Sequence, residues 1–481
     1  MKTNYKKLLI LLTVITGLVS CKKDLVTTPK GQFLLSNYFT NQAQAKAGVI
    51  ACYNILPYNY YAYLVALNSA SDDCYTGGGD SGDQYGMQAF NNYPLLNSSS
   101  GTGDIFWYHS FVGVAAANNI INALPSVPGL APDTLNRYMG EAKFQRAYYY
   151  FDLVRLFKNV PLILKQLTPS NEYDVLQAPS SAVYAQIEAD LTAAIPGLPV
   201  TVSAAENGRV TQGAARALLG KVYLYEQKWT AAAEQFALVN GTPGGTSQYG
   251  YHLLQNYSDI FALNNKFSAE SIYEVGQSNA VNGFSNNFTQ YIGARGSSVP
   301  FWSNGWGFNP ITLDLVNTMK NDPRYPYTII NMDSTAKATN TSYQPSYQNT
   351  GYFTRKYAPI ASEKTSFGWG NNFIIIRLAD TYLMEAEALV QGGGDQARAY
   401  ALLNAVRTRV KLPPVAATLA NIYAERRLEL AQEGNRWFDL VRWGTAATVL
   451  ANKGFKAGVN ELLPIPVHDL NNTKMVQNPG Y

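Results

Sequence analysis

Along most of the chain, apolar residues recur three and four positions apart, the spacing that gathers them on one face of a helix. The pattern predicts helices over Asn37–Leu56, with Thr40 as a capping residue, over Ile105–Leu124, over Thr134–Phe157 with Pro161 closing it, and over Ser180–Ala194. Thr211–Gln227 and Thr230–Val239 read as a helix pair with a tight break at Lys228-Trp229. Ile374–Val390 and Gln396–Val410 read as a second pair across Gly392-Gly393-Gly394, and Leu419–Trp443 as a last helical block before a proline-punctuated tail. Two stretches lack this rhythm. Ser69–Gly103 is dominated by Gly, Ser, Asp and Asn, and a second irregular, aromatic region runs from Gly241 to about residue 372. Loops that long in a compact domain are usually functional or disordered; the interleaved Tyr75, Tyr85, Phe90 and Tyr93 argue for order.

The first residues read as an address. Lys2, Lys6 and Lys7 precede an apolar run, Leu8–Val19, that is shorter than the roughly 20 residues a spanning helix needs and ends in small residues, as export signals do. Leu18-Val19-Ser20-Cys21 resembles the bacterial lipobox, which makes Cys21 the expected lipidation site and anchors the chain by several acyl groups such as palmitate. The expected organisation is a signal peptide over 1–20, a lipidated anchor and tether over 21–35, and a single domain over 36–481.

Composition narrows the function. With 47% hydrophobic residues the 481-residue chain can build a large core, whereas charged residues make up only 15%, against about 25% in an ordinary soluble domain. Tyrosine supplies part of the missing polarity, with 34 copies. Removing residues 1–20 takes three lysines and no acids from a net charge of +4 and leaves +1, so no electrostatic footprint for nucleic acid remains. A surface poor in charge and rich in phenols suits neutral partners with many hydroxyls. Apart from Cys21, two cysteines remain; Cys52 and Cys74 read equally as a disulfide or as two buried thiols.

Residues 216–239 can be laid on the tetratricopeptide pattern, with Leu219, Gly220 and Tyr223 on one helix and Ala232 and Phe236 on the next. Looser copies fall at Leu378, Ala379 and Tyr382 and around Phe144–Tyr148. These predict a mainly α, solenoid-like scaffold, which says nothing by itself about ligand.

The most specific signal lies near the end. Glu425-Arg426-Arg427-Leu428-Glu429-Leu430 followed by Glu433–Gly444, the tail Leu462–Pro466 with Gln477–Tyr481, Arg377–Asp380 with Glu385–Ala388, and Tyr149–Arg155 together resemble the SusD/RagB family of surface lipoproteins in nutrient uptake. The resemblance implies about four tetratricopeptide-like hairpins carrying a loop-rich ligand-binding face, in an N-terminal SusD-like part over about 36–240 and a C-terminal SusD/RagB part over about 260–481. It also implies an outer-membrane, cell-surface location, a SusC-like TonB-dependent barrel transporter as partner, and a glycan as cargo, with peptide or another nutrient as the RagB-like alternative. A third reading is a repeat scaffold for protein assembly. The signature charges themselves, Glu425, Glu429, Arg426, Arg427, Arg436 and Arg442, are expected to form internal ion pairs.

Catalytic patterns are weak. Gly79-Asp80-Ser81-Gly82 matches a serine-protease motif, yet the first histidine, His109, comes after it and the surroundings are helical. His109, His252 and His468 lack zinc-ligand spacing, and no local pattern proposes a glycosidase carboxylate pair. No cofactor is expected; Asp72, Asp73, Asp80 and Asp83 could hold a structural calcium without the EF-hand spacing, and otherwise read as turn-forming carboxylates. Recognition of sugar needs rigid rings for C–H faces and oriented polar groups for hydroxyls. The Asp72–Asn97 and 291–309 regions have that mixture. Trp302 and Trp306 are the first candidates for stacking, then Tyr291; Asp73, Asp80, Gln84, Asn92 and Arg295 are candidates for polar contact. The competing role for each tryptophan is packing inside the loop or contact with the transporter.

Overall fold

A computed structural model describes residues 38–165, 167, 174–280, 285–366 and 368–481; Cys21 and the tether expected over 21–35 lie outside the described residues. Helices dominate. In chain order they begin with α1 (Gln42–Ala51), α2 (Leu56–Ala70), α3 (Tyr85–Asn91), α4 (Asp104–Ala123), α5 (Pro132–Phe157), α6 (Ser180–Ala194), α7 (Gln212–Tyr225) and α8 (Trp229–Asn240). After the irregular middle come α9 (Leu378–Gln391), α10 (Gln396–Arg409), α11 (Leu419–Glu429) and α12 (Arg436–Arg442). Neighbouring helices pack as hairpins, α4 on α5, α5 on α6, α7 on α8 and α9 on α10, with α8 against α9 joining the pairs.

Local chemistry sets the boundaries. Side chains of Asn41, Thr211, Asp395 and Thr418 each accept a hydrogen bond from a backbone N–H in the first turn of α1, α7, α10 and α11. Pro132 starts α5, where a missing N–H costs nothing. Helix pairing rests on small residues facing rings: a Cβ on Gly220 of α7 would stand 2.8 Å from the Phe236 ring of α8.

Three expectations change. The helix expected over Ile374–Val390 begins only at Leu378, because Phe373–Arg377 is a strand pairing antiparallel with Ser271–Val275. Its isoleucine run is mostly buried and suits a pleated surface better than a helix. The block expected over Leu419–Trp443 splits into α11 and α12 at Gln432 and Gly434, both with positive φ. The helix expected over Asn37–Leu56 covers Gln42–Ala51, and Pro57 helps start α2, a helix the periodicity did not single out. A second small pairing joins Ile329–Asn331 to Tyr352–Thr354. Among the described residues no helix is long and apolar enough to cross a membrane.

The signature charges form a buried ionic lattice. Arg377 bonds Glu429 at 2.6 Å, Glu433 at 2.8 Å and Glu270 at 3.0 Å, and Arg324 joins Glu425 at 2.6 Å and Glu429 at 2.8 Å. Arg426 pairs with Asp380 at 2.9 Å and Asp439 at 3.0 Å, and Arg442 with Glu387. Despite the cost of burial, the surrounding Arg409, Arg377 and Arg324 hold the Glu429 carboxyl well below the usual carboxylate range. Cys52 and Cys74 are free and buried, so the disulfide reading falls.

Candidate functional site

The two irregular regions meet. Residues 73–78 run as a short ladder against 307–312: Thr312 N–H donates to Asp73 O at 3.0 Å, Tyr75 N–H to Pro310 O at 3.0 Å, and Gly78 N–H to Gly307 O at 2.9 Å. The approach demands glycine at Gly77, whose φ is +74° and whose added Cβ would stand 2.3 Å from Gly307 O. A third segment closes on both, with Tyr347 N–H donating to Gly78 O at 2.9 Å and Gln344 N–H to Arg295 O at 2.7 Å. Within the 291–309 loop the chain doubles back so tightly that a Cβ on Gly305 would sit 2.3 Å from Gly293 Cα.

This arrangement displays Trp306. The residue is 46% exposed, and Tyr291 braces its ring edge-on with centroids 4.6 Å apart and planes at 70°. Tyr291 is itself buried against Phe308, with centroids 5.1 Å apart. Arg295 donates to the backbone carbonyl of Trp306 at 3.4 Å and lies 3.9 Å from Asp83. The Asp83 carboxylate accepts from Gly79 N–H, and Asp80 from Gly82 N–H, each at 2.7 Å, so both acids stiffen the turn that carries them. Gln84 is exposed in the left-handed region at φ +53° and leads into α3. Phe301, Tyr85 and Tyr347 add further exposed rings.

Next to Tyr347 opens a groove of about 540 Å³ lined by Tyr75, Asn91, Asn92, Gln348 and residues 451–454. Its walls are tied together: Tyr93 and Phe455 meet edge-on at 4.9 Å, and Gly454, with φ +78°, lies against Pro94. Asn92 is exposed at its rim.

Two expected ligand contacts are corrected. Trp302 is 1% exposed and fills a subsidiary core with Ala294, Val299, Ile330, Met332 and Phe353, so no sugar face can reach its ring. Asp73 is buried and bonds Arg427 at 2.9 Å; its task is to fasten the loop to α11. Burial pushes the Asp73 carboxyl upward, countered by Arg427. Its neighbour Asp72 is partly buried, which pushes its carboxyl upward, yet bidentate bonds from Arg436 at 2.8 Å and the charge of Arg427 bring it below its ordinary value. With Asp72 and Asp73 committed to arginines, the four aspartates do not gather as a calcium cage; among the described residues no three His, Cys, Asp or Glu side chains are grouped to hold a metal ion. Tyr291 serves as the brace behind Trp306. Arg295, Asp80, Gln84 and Asn92 lie at or near the exposed face. The contributions of Tyr347 and residues 451–454 were not legible in advance, although the tyrosine-rich 343–357 segment was the available signal for the former.

Known proteins resemble this chain over most of its length. Residues 230–458 match the SusD family, and residues 50–224 match a family described as starch-binding associating with outer membrane. A structure described as a laminarin-binding SusD-like protein is 44% identical, covers 92% of this chain and 100% of its own, and superposes with a TM-score of 0.87. Surface glycan-binding protein A from Bacteroides thetaiotaomicron, in complex with laminarihexaose, is 25% identical over 91% of this chain and 100% of its own, with a TM-score of 0.80. SusD-like protein P2 of Formosa agariphila is 26% identical across 98% of each chain.

Proposed function

The chain belongs to the SusD family, and on that premise we propose that it is a cell-surface lipoprotein that captures neutral oligosaccharide, of laminarin type, and delivers it to a SusC-like TonB-dependent barrel transporter. The single observation that carries the reading is the convergence of the 73–84 and 291–309 loops on an exposed, Tyr291-braced Trp306 with Arg295 and Asp83 beside it. An indole face offers a sugar ring a flat apolar surface, while the neighbouring polar groups and the Asn-lined groove offer hydroxyl partners.

The role is binding without catalysis. Asp80 and Asp83 in the loop are engaged in backbone turns, and the strongest ionic clusters lie inside the scaffold as structural pairs. Attachment belongs to Cys21, through the lipobox that ends at it. Two acyl chains or more hold a protein to a membrane far more firmly than one.

Calorimetry of the soluble domain against laminarin, laminarihexaose, other neutral polysaccharides and a peptide panel tests the cargo. Heat with the laminarin-type ligands is the expected result; silence across the glycans together with binding of peptides overturns it. Metabolic labelling with an alkynyl fatty acid, compared between the natural chain and Cys21→Ser, tests the anchor: label on both chains, or on neither, refutes it. Co-purification with the barrel from detergent-solubilised outer membranes tests the partnership.

A further inference from the structure

Lys453 has an environment that the binding reading leaves unexplained. It sits on the wall of the groove beside Tyr75, yet its side chain is buried, 7% of the residue being exposed. The ammonium donates to three backbone carbonyls, Ser69 O at 2.7 Å, Ser71 O at 2.5 Å and Cys74 O at 2.7 Å. Two of these belong to the C-terminal end of α2 and the residue just past it, where carbonyls point outward unpaired and carry the negative end of the helix dipole. The third belongs to the first residue bridged to the 307–311 segment. The Tyr75 ring lies 5.8 Å away. The nearby carboxylates, Asp72 and Asp73, are paired with Arg427 and Arg436, not with Lys453. Burial pulls the ammonium down to about 8, which keeps it protonated, with all three donors, at neutral pH.

We infer that Lys453 is a positioning residue for ligand capture: its ammonium gathers three carbonyls at the exit of α2 and thereby fixes the start of the 73–84 loop against the segment that carries Trp306. The inference rests on the binding role proposed above. A built-in cation does here what a bound metal ion does in other loops, drawing the carbonyls of a turn together.

The test is Lys453→Ala, which leaves space where the side chain was, with Lys453→Met as a second variant that retains packing but no charge. Hydrogen exchange of the unliganded protein should accelerate at least tenfold at the Tyr75 and Gly78 amides and stay unchanged in α7–α10. Affinity for laminarihexaose should fall about tenfold. In Lys453→Ala, n-butylammonium should restore both, whereas tetramethylammonium, which has no N–H to donate, should restore neither. Unchanged exchange at residues 73–79 overturns the inference, as does equal rescue by both cations or undiminished affinity in a variant whose loop exchanges fast. If Lys453→Ala does not fold, Lys453→Met decides by the same exchange and affinity readings. Should the natural protein fail to bind laminarihexaose, the cargo reading falls, while exchange and rescue still decide whether the ammonium holds the loop.

Discussion

Replacing Trp306 by alanine removes a large ring that is both exposed and braced from behind. An aromatic side chain offers about 150–250 Å², and with 46% of this residue exposed, roughly 100 Å² remains for a sugar face. At about 25 cal/mol per Å², covering it contributes ~2.5 kcal/mol, or roughly 60-fold in Kd. A sugar that covers only part of the ring gives less, so Trp306→Ala is expected to weaken laminarihexaose binding by about 10- to 60-fold. The fold loses the edge contact with Tyr291, worth about 1 kcal/mol, and on the order of 2 kcal/mol for the covered half of the ring. Trp302→Ala is the control. Its ring is enclosed, so the substitution leaves a cavity costing about 3–5 kcal/mol of stability, lowers the melting temperature more than Trp306→Ala does and leaves affinity per folded molecule nearer the natural value. Isothermal titration and differential scanning calorimetry on both variants separate the roles. Trp306→Ala binding within twofold of the natural protein, while remaining folded, would refute the assignment of the ring to the ligand.

Asp380 is held down to about 2 by Lys221 and Arg426 in spite of burial, so its stabilisation is complete above its unfolded value near 3.8 and is lost as pH falls toward 2. Asp380→Asn should therefore cost on the order of 2 kcal/mol at pH 7, with the deficit narrowing below pH 4, as read by urea unfolding at several pH values. Cys52, its thiol pushed up to about 12 by burial, and Cys74, raised further, should resist a thiol reagent in the folded protein and react fully in guanidinium, with no change of melting temperature on adding reductant. Gly305→Ala places a Cβ 2.3 Å from Gly293 Cα, so the loop must open; the expected result is a loss of ligand affinity comparable to Trp306→Ala together with a melting temperature lower than that variant's.

Helices α4 to α8 were legible because their evidence is local: apolar residues three and four apart, a capping side chain, a proline or glycine at the end. The Phe373–Arg377 strand was not, since its partner Ser271–Val275 lies about a hundred residues away and only the isoleucine run hinted at it. The same limit governs the site. Trp302 and Trp306 stand four residues apart in one aperiodic loop, and what separates core from surface is Ile330 and Phe353, contributed by later segments. Asp73 looked like a free turn carboxylate because Arg427, 354 positions away in sequence, is invisible to any local reading. The signature charges fared better: their density on a chain otherwise poor in charge already pointed inward.

The fastening of Asp72 and Asp73 by Arg436 and Arg427, with Lys453 beyond them, has a consequence for biogenesis. The helical hairpins of the first half can form from neighbours as the ribosome delivers them, but the turn at 73–84 lacks its ladder until residues 307–312 exist and its arginine and lysine anchors until residues beyond 420 do. Closing so long a span is entropically slow. Nascent or truncated chains ending before that point would carry an ordered spine with an unfinished mouth, so that competence to capture arrives last, only when the whole polypeptide is available.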